Sequence, residues 1–113
     1  MKISQHDNTT VFSCDRSDPI GIDFRNLVKA HYKNMHQQNI VIDLSAFEAL
    51  NPKHVLEFSE LNTYNKETVL KSFVVVVGTM SVSKIPDDIA TAPTLQEALD
   101  IVEMEEIERD LGY

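Results

Sequence analysis

Two runs of consecutive apolar residues constrain the fold of this chain most. The first, NIVIDL, covers residues 39–44 and contains one charged residue, Asp43; the second, SFVVVVG, covers residues 72–78. Strands that are apolar at every position are typical of a sheet that is covered on both faces. A chain of 113 residues has the size of one domain and buries enough surface for one core. The two runs therefore predict central strands of an α/β protein.

The segments around these runs predict a hairpin, helices and an edge strand. Residues 2–15 read as two short strands around a QHDN turn, which predicts an N-terminal β-hairpin. Residues 23–35, 51–66 and 93–111 have apolar residues at helical spacing, and IATA at residues 89–92 predicts a short edge strand. The predicted fold is a mixed central sheet of about four or five strands with about three helices packed on it.

Composition excludes several classes of function. The net charge of −8 argues against a nucleic-acid surface, which needs clustered Lys and Arg. We expect no membrane span and no secretory signal, because no apolar run is long enough for the first and the N-terminus has no apolar core for the second. Cys14 is the only cysteine, so an internal disulfide is impossible and a cytoplasmic location is expected.

The residues that carry most enzyme chemistry are scattered. The three glycines form no phosphate-binding loop, and the sequence predicts no metal site and no cofactor. We expect Cys14 to be a small buried apolar residue and Asp43 to accept hydrogen bonds from a neighbouring loop, since an unpaired carboxylate inside an apolar strand is costly.

Two motifs resemble the STAS domain, the fold of bacterial anti-anti-sigma factors. They are VIDLSAFEAL at residues 41–50 and APTLQEALDIV at residues 92–102, and the resemblance extends over residues 2–103. It implies a regulatory module that acts by protein contact. In regulated STAS domains the turn after the central strand reads Asp-Ser-Ser-Gly and a serine in it is phosphorylated. The corresponding residues 51–54 here are Asn-Pro-Lys-His, which have no hydroxyl group, so the phosphorylation switch is not expected.

The chain is also similar to short bacterial proteins that end in IERDLG and an aromatic residue, some of which are labelled ribonuclease Z. Hydrolysis of that kind needs an H-x-H-x-D-H cluster that holds two zinc ions. The four histidines are His6, His31, His36 and His54, and no two have the i, i+2 spacing. The chain is also too short for a metallo-β-lactamase fold. We therefore predict that this protein is not an enzyme.

The last predicted helix has two apolar faces. Its first set comprises Leu95, Ala98, Leu99 and Val102; its second set, on nearly the opposite side, comprises Ile101, Met104, Ile107 and Leu111. Either the helix bends or breaks near Glu103, or the second set contacts another chain. We accordingly predict one domain at residues 1–103 and a C-terminal helical extension of it at residues 104–113. The surrounding carboxylates are either a solvated helix face or an acidic docking surface for a basic partner.

These observations predict a non-catalytic, STAS-like regulatory module that binds another protein or, through the C-terminal helix, a second copy of itself. The candidate partner-binding residues are Ser45, Asn51, Lys53, His54, Ile101, Met104, Ile107 and Leu111. The alternative is a small-ligand-binding protein or an enzyme that uses the loop at residues 45–54, with Ser45, Lys53 and His54 as its polar groups.

Overall fold

One five-stranded sheet organises the protein. The computed structural model describes residues 1–35 and 37–112, and its strands lie side by side in chain order. They are β1 (Lys2–His6), β2 (Thr9–Ser13), β3 (Asn39–Asp43), β4 (Phe73–Val76) and β5 (Ala90–Ala92). β1 is antiparallel to β2, and all other neighbours are parallel. The predicted mixed sheet and N-terminal hairpin are thus confirmed, with the two apolar runs as the adjacent strands β3 and β4.

The described residues form four helices. They are α1 (Ile22–Tyr32), α2 (Pro52–Leu56), α3 (Ser59–Glu67) and α4 (Leu95–Asp110). The single helix predicted over residues 51–66 is therefore divided, because the chain turns at Glu57 and Phe58. Val55, in the last turn of α2, and Phe58, within the turn, are both buried. None of the helices in the described ranges is long and apolar enough to cross a membrane.

Each face of the sheet has its own apolar core. On one face α1, α2 and α3 pack through Phe24, Val55 and Phe58 against strand residues that include Ile42 and Phe73. On the other face α4 packs alone. Its core consists of Val11, Val41, Val74, Val76 and Ala92 from the sheet with Ala98 and Val102 from α4. The continuous apolar character of β3 and β4 follows from this two-sided burial.

α4 runs without a break from Leu95 to Asp110, so the break considered near Glu103 does not occur. The helix follows β5 and returns from the carboxyl ends of the parallel strands to their amino ends. Its last turns therefore lie near the beginning of β3, and the loop after β3 lies at the other end of the sheet, where the parallel strands have their carboxyl ends. His36, and Tyr113 at the end of the predicted extension, lie outside the described residues.

Candidate functional site

The loop after β3 begins with a turn between Asp43 and Ser45. The Asp43 carboxylate accepts hydrogen bonds from the backbone N–H of Ser45 at 3.0 Å and from its hydroxyl at 2.6 Å. The expectation that Asp43 accepts hydrogen bonds from a loop is confirmed. The Ser45 hydroxyl, predicted as a candidate contact, is engaged in forming this turn.

The same loop ends in a reciprocal helix cap. The Asn51 side chain accepts a hydrogen bond from the backbone N–H of Lys53 at 3.0 Å, and His54 Nδ1 accepts one from the backbone N–H of Asn51 at 3.1 Å. Pro52 occupies the first helical position, as predicted. Asn51 and His54 thus satisfy backbone groups at the start of α2. Of the four candidate residues in the loop, Lys53 is the one whose exposed side chain takes no part in these hydrogen bonds.

The four apolar candidates on α4 and at its C-cap residue, Leu111, divide into two groups. Ile101 is half-buried and packs against the core under α4, so it offers a partner less surface than the other three. The side chains of Met104, Ile107 and Leu111 are 62%, 52% and 65% exposed. These three residues, which we call the outer row, have the i, i+3, i+7 spacing of one helix face. The outer row lies near the amino ends of the parallel strands and the β3 loop lies at their carboxyl ends, so the structure does not bring the two sets of candidates together.

The inner face of α4 carries a polar cluster that the sequence reasoning missed. Arg109 donates hydrogen bonds to the Ser72 hydroxyl at 3.0 Å and to the Asn39 side-chain oxygen at 3.1 Å. Glu105 accepts a hydrogen bond from the Ser72 hydroxyl, and Glu106 accepts one from the Asn39 amide. Asn39 and Ser72 are fully buried. The cluster therefore fixes the last turns of α4 to the amino ends of β3 and β4.

The cluster continues past the amino ends of β3 and β4 to the helices on the other face of the sheet. The Asn65 amide of α3 donates a hydrogen bond of 2.9 Å to the backbone oxygen of Ser72. The Tyr32 hydroxyl of α1 donates one of 2.6 Å to the Asn65 side-chain oxygen, and burial raises the pKa of Tyr32 to about 12. Each group is paired within the protein, which indicates a structural role.

The carboxylates of α4 also divide between its two faces. Glu105 and Glu106 face the sheet, so the interpretation of the whole acidic run as a solvated face is wrong for these two. The remaining five are exposed: Glu97, Asp100, Glu103, Glu108 and Asp110. Arg109, the one cationic residue in the sequence of α4, bonds toward the sheet. The exposed carboxylates beside the outer row therefore have no cation of α4 among them.

A groove lies between this helix and the β1–β2 turn. It has a volume of about 630 Å³, and its lining includes the apolar residues Leu99, Val102 and Ile107. The carboxylates that line it are Asp7, Glu103, Glu106 and Asp110, with His6, Asn8 and Thr9 completing the wall. Ile107 of the outer row is thus also part of an acidic groove.

Groups suited to catalysis do not converge in the part of the chain that the structure describes. Within residues 1–35 and 37–112, no three His, Cys, Asp or Glu side chains are grouped so that they could hold a metal ion. Cys14 is buried, as predicted, and burial raises the pKa of its thiol to about 12. A thiol with this pKa is a poor nucleophile near neutral pH.

Comparison with known proteins assigns no family: no family model matches the chain, and no curated protein is significantly similar to it. The resemblance to STAS domains remains a prediction from the two motifs and the order of elements. The fold class, a mixed α/β protein with a five-stranded sheet, is established by the structure.

Proposed function

We propose that this protein is a non-catalytic, STAS-type interaction module whose partner binds the outer row of α4. The observation that carries the proposal is the exposure of Met104, Ile107 and Leu111 on one face of a helix whose opposite face is fixed to the sheet. Amphipathic helices that dock in grooves use anchors at this spacing. A helix that is already fixed loses less conformational entropy on binding. We propose a cytoplasmic setting, as the lone, buried thiol of Cys14 suggests.

The alternative, a ligand-binding or catalytic site in the loop at residues 45–54, has weaker support. Its polar groups are largely engaged with one another: Ser45 with Asp43, and Asn51 with His54. A thermal-shift screen of metals, nucleotides and phosphates tests this alternative. Saturable stabilisation by one compound, lost in the Lys53→Ala variant, would favour it.

The proposed function is tested by comparing two substitutions that are matched in exposure. Ile107→Gln alters the outer row, and Ile22→Gln alters α1 on the other side of the sheet; Ile107 is 52% exposed and Ile22 is 53% exposed. Each tagged full-length chain is expressed in the native cell, purified by affinity and analysed by quantitative mass spectrometry. We expect a bound protein that is present with wild type and Ile22→Gln and depleted by at least about tenfold with Ile107→Gln. Equal recovery of every bound protein with both variants would contradict the proposal.

A further inference from the structure

We infer that the partner of the outer row is a cationic amphipathic helix of a different protein, with a Lys or Arg side chain that enters the groove beside Ile107. This inference rests on the proposed function and specifies the chemistry of the partner. Three observations carry it: the exposed apolar row, the exposed carboxylates of α4 beside the row, and the acidic groove that adjoins it.

The charged residues around the outer row indicate the charge of the partner. On the side of the β1–β2 turn, the groove is lined by Asp7, Glu103 and Asp110, together with Glu106. Glu106 is already bonded to Asn8 and Asn39. The other three carboxylates form no side-chain hydrogen bond with residues 1–35 and 37–112, and we assign them to the partner. The cations Lys66 and Lys71 lie on the opposite flank of α4, beside Glu105 and Glu108. A helix with apolar residues on one face and cations on the groove side therefore complements both the apolar outer row and the carboxylates of the groove.

A second copy of this chain fits the surface poorly. In a two-fold symmetric contact the same patch meets itself, so each residue of the row faces the row of the other copy. The exposed charges that flank the row within α4 are all carboxylates, including Glu103, Glu108 and Asp110. Pairing two such helices would bring like charges together and would bury them away from water.

An anionic membrane surface fits it poorly as well. Helices that lie on such membranes carry Lys and Arg on their polar face and are attracted to the lipid headgroups. The polar residues that flank Met104 and Ile107 on the outer face are acidic, so an anionic surface would repel them. The same apolar row with the opposite flanking charge would have favoured the membrane.

The inference is tested with two synthetic helical peptides. Both have leucines at heptad positions a and d; one has lysines and the other has glutamates at positions e and g. Each is titrated into the full ¹⁵N-labelled chain and followed by NMR. We expect the lysine peptide to shift the signals of residues 6–9 and 99–111, with an affinity that falls as salt is added, and we expect no binding of the glutamate peptide.

Three variants sharpen this experiment. Two changes should each lower the affinity for the lysine peptide by at least about tenfold: Ile107→Gln, and the charge reversal Glu103→Lys with Asp110→Lys. Ile22→Gln should leave this affinity unchanged. If the reversal fails to fold, as judged by circular dichroism, Glu103→Gln with Asp110→Gln replaces it. Equal binding of both peptides, shifts spread over all acidic surfaces, or binding unaffected by Ile107→Gln would overturn the inference.

Failure of the inference is distinguishable from failure of the proposed function. If the bound protein depends on Ile107 but is a second copy, or contacts the row through an acidic segment, the inference is wrong and the interaction module stands. If the chain sediments with anionic phosphatidylserine vesicles through Ile107, the inference is wrong, and the proposed function stands only where a bound protein also depends on Ile107. If no bound protein depends on Ile107, the proposed function itself is wrong.

Discussion

The Arg109 guanidinium donates a hydrogen bond of 3.1 Å to the side-chain oxygen of Asn39, a fully buried residue at the first position of β3. The same oxygen accepts the backbone N–H of Ser72 at 2.8 Å. One amide side chain therefore connects α4, β3 and the segment that leads into β4. This connection orients the end of α4, so that Met104, Ile107 and Leu111 face away from the sheet.

Arg109→Ala should destabilise the protein, although the residue lies in a charged helix end. Loss of the guanidinium leaves the buried Asn39 and Ser72 oxygens with fewer partners, and a buried group without its partner costs about 1–3 kcal/mol. Urea denaturation followed by circular dichroism measures the loss. Arg16→Ala is the control, because the ion pair of Arg16 with Glu48 is exposed and should contribute less than about 1 kcal/mol. Equal stability of both variants would contradict the assigned role of Arg109.

Removal of residues 104–113 should destabilise the fold as well as remove the outer row. The deletion takes away Glu105, Glu106 and Arg109 and leaves Asn39 and Ser72 without their partners on α4. Each orphaned group costs about 1–3 kcal/mol, a large share of the about 5–15 kcal/mol that stabilises a small domain. Calorimetry should give a lower Tm for the truncated chain. Met104→Gln with Ile107→Gln in the full chain should keep the wild-type Tm, and a truncated chain of unchanged Tm would show that the cluster is dispensable.

Asn51→Ala should cost about 1 kcal/mol, the usual effect of removing an N-cap side chain. The substitution removes the acceptor for the backbone N–H of Lys53 at the start of α2. Asn51→Asp keeps an acceptor and should retain most of the stability, and Lys53→Ala, which leaves the cap intact, should be neutral. Chemical denaturation of the three variants gives the comparison. A larger effect of Lys53→Ala than of Asn51→Ala would argue that the loop has a role other than capping.

Cys14 should be unreactive in the folded protein and should make stability fall at high pH. Burial raises its pKa from 9.0 to about 12. The stabilisation that corresponds to this shift is complete below about pH 9 and is lost as the pH rises toward about 12, because the unfolded thiol ionises first. A thiol reagent near pH 8 should modify the native chain slowly and the urea-unfolded chain rapidly. Rapid modification of the native chain would show that the thiol is accessible.

The sequence predicts the sheet well because burial on both faces leaves a pattern in the strands themselves. The apolar runs became β3 and β4, and Asn51 with Pro52 became the start of α2. The sequence predicts the hairpin equally well, since the pattern that indicates it is local to the turn at Asp7 and Asn8. None of these inferences needs information from distant parts of the chain.

The polar cluster on the inner face of α4 was not predicted, because its partners are distant in the sequence. Val102, Glu105, Glu106 and Arg109 have the i, i+3, i+4, i+7 spacing of one face, which is a signal for burial. Charged residues at those positions ordinarily predict solvent. Only the pairing of β3 with β4 places Asn39 and the segment before β4 side by side, where these charges find hydrogen-bond partners.

Photo-crosslinking in the native cell, with a benzophenone amino acid at position 107 or at position 22, tests whether a cationic partner binds the outer row. The two positions are equally exposed and lie on opposite sides of the sheet, so each controls for the other. We expect an adduct from position 107, formed with a lysine- or arginine-rich segment of another protein, and no such adduct from position 22. The same adducts from both positions, or none from position 107, would show that the outer row does not bind such a partner.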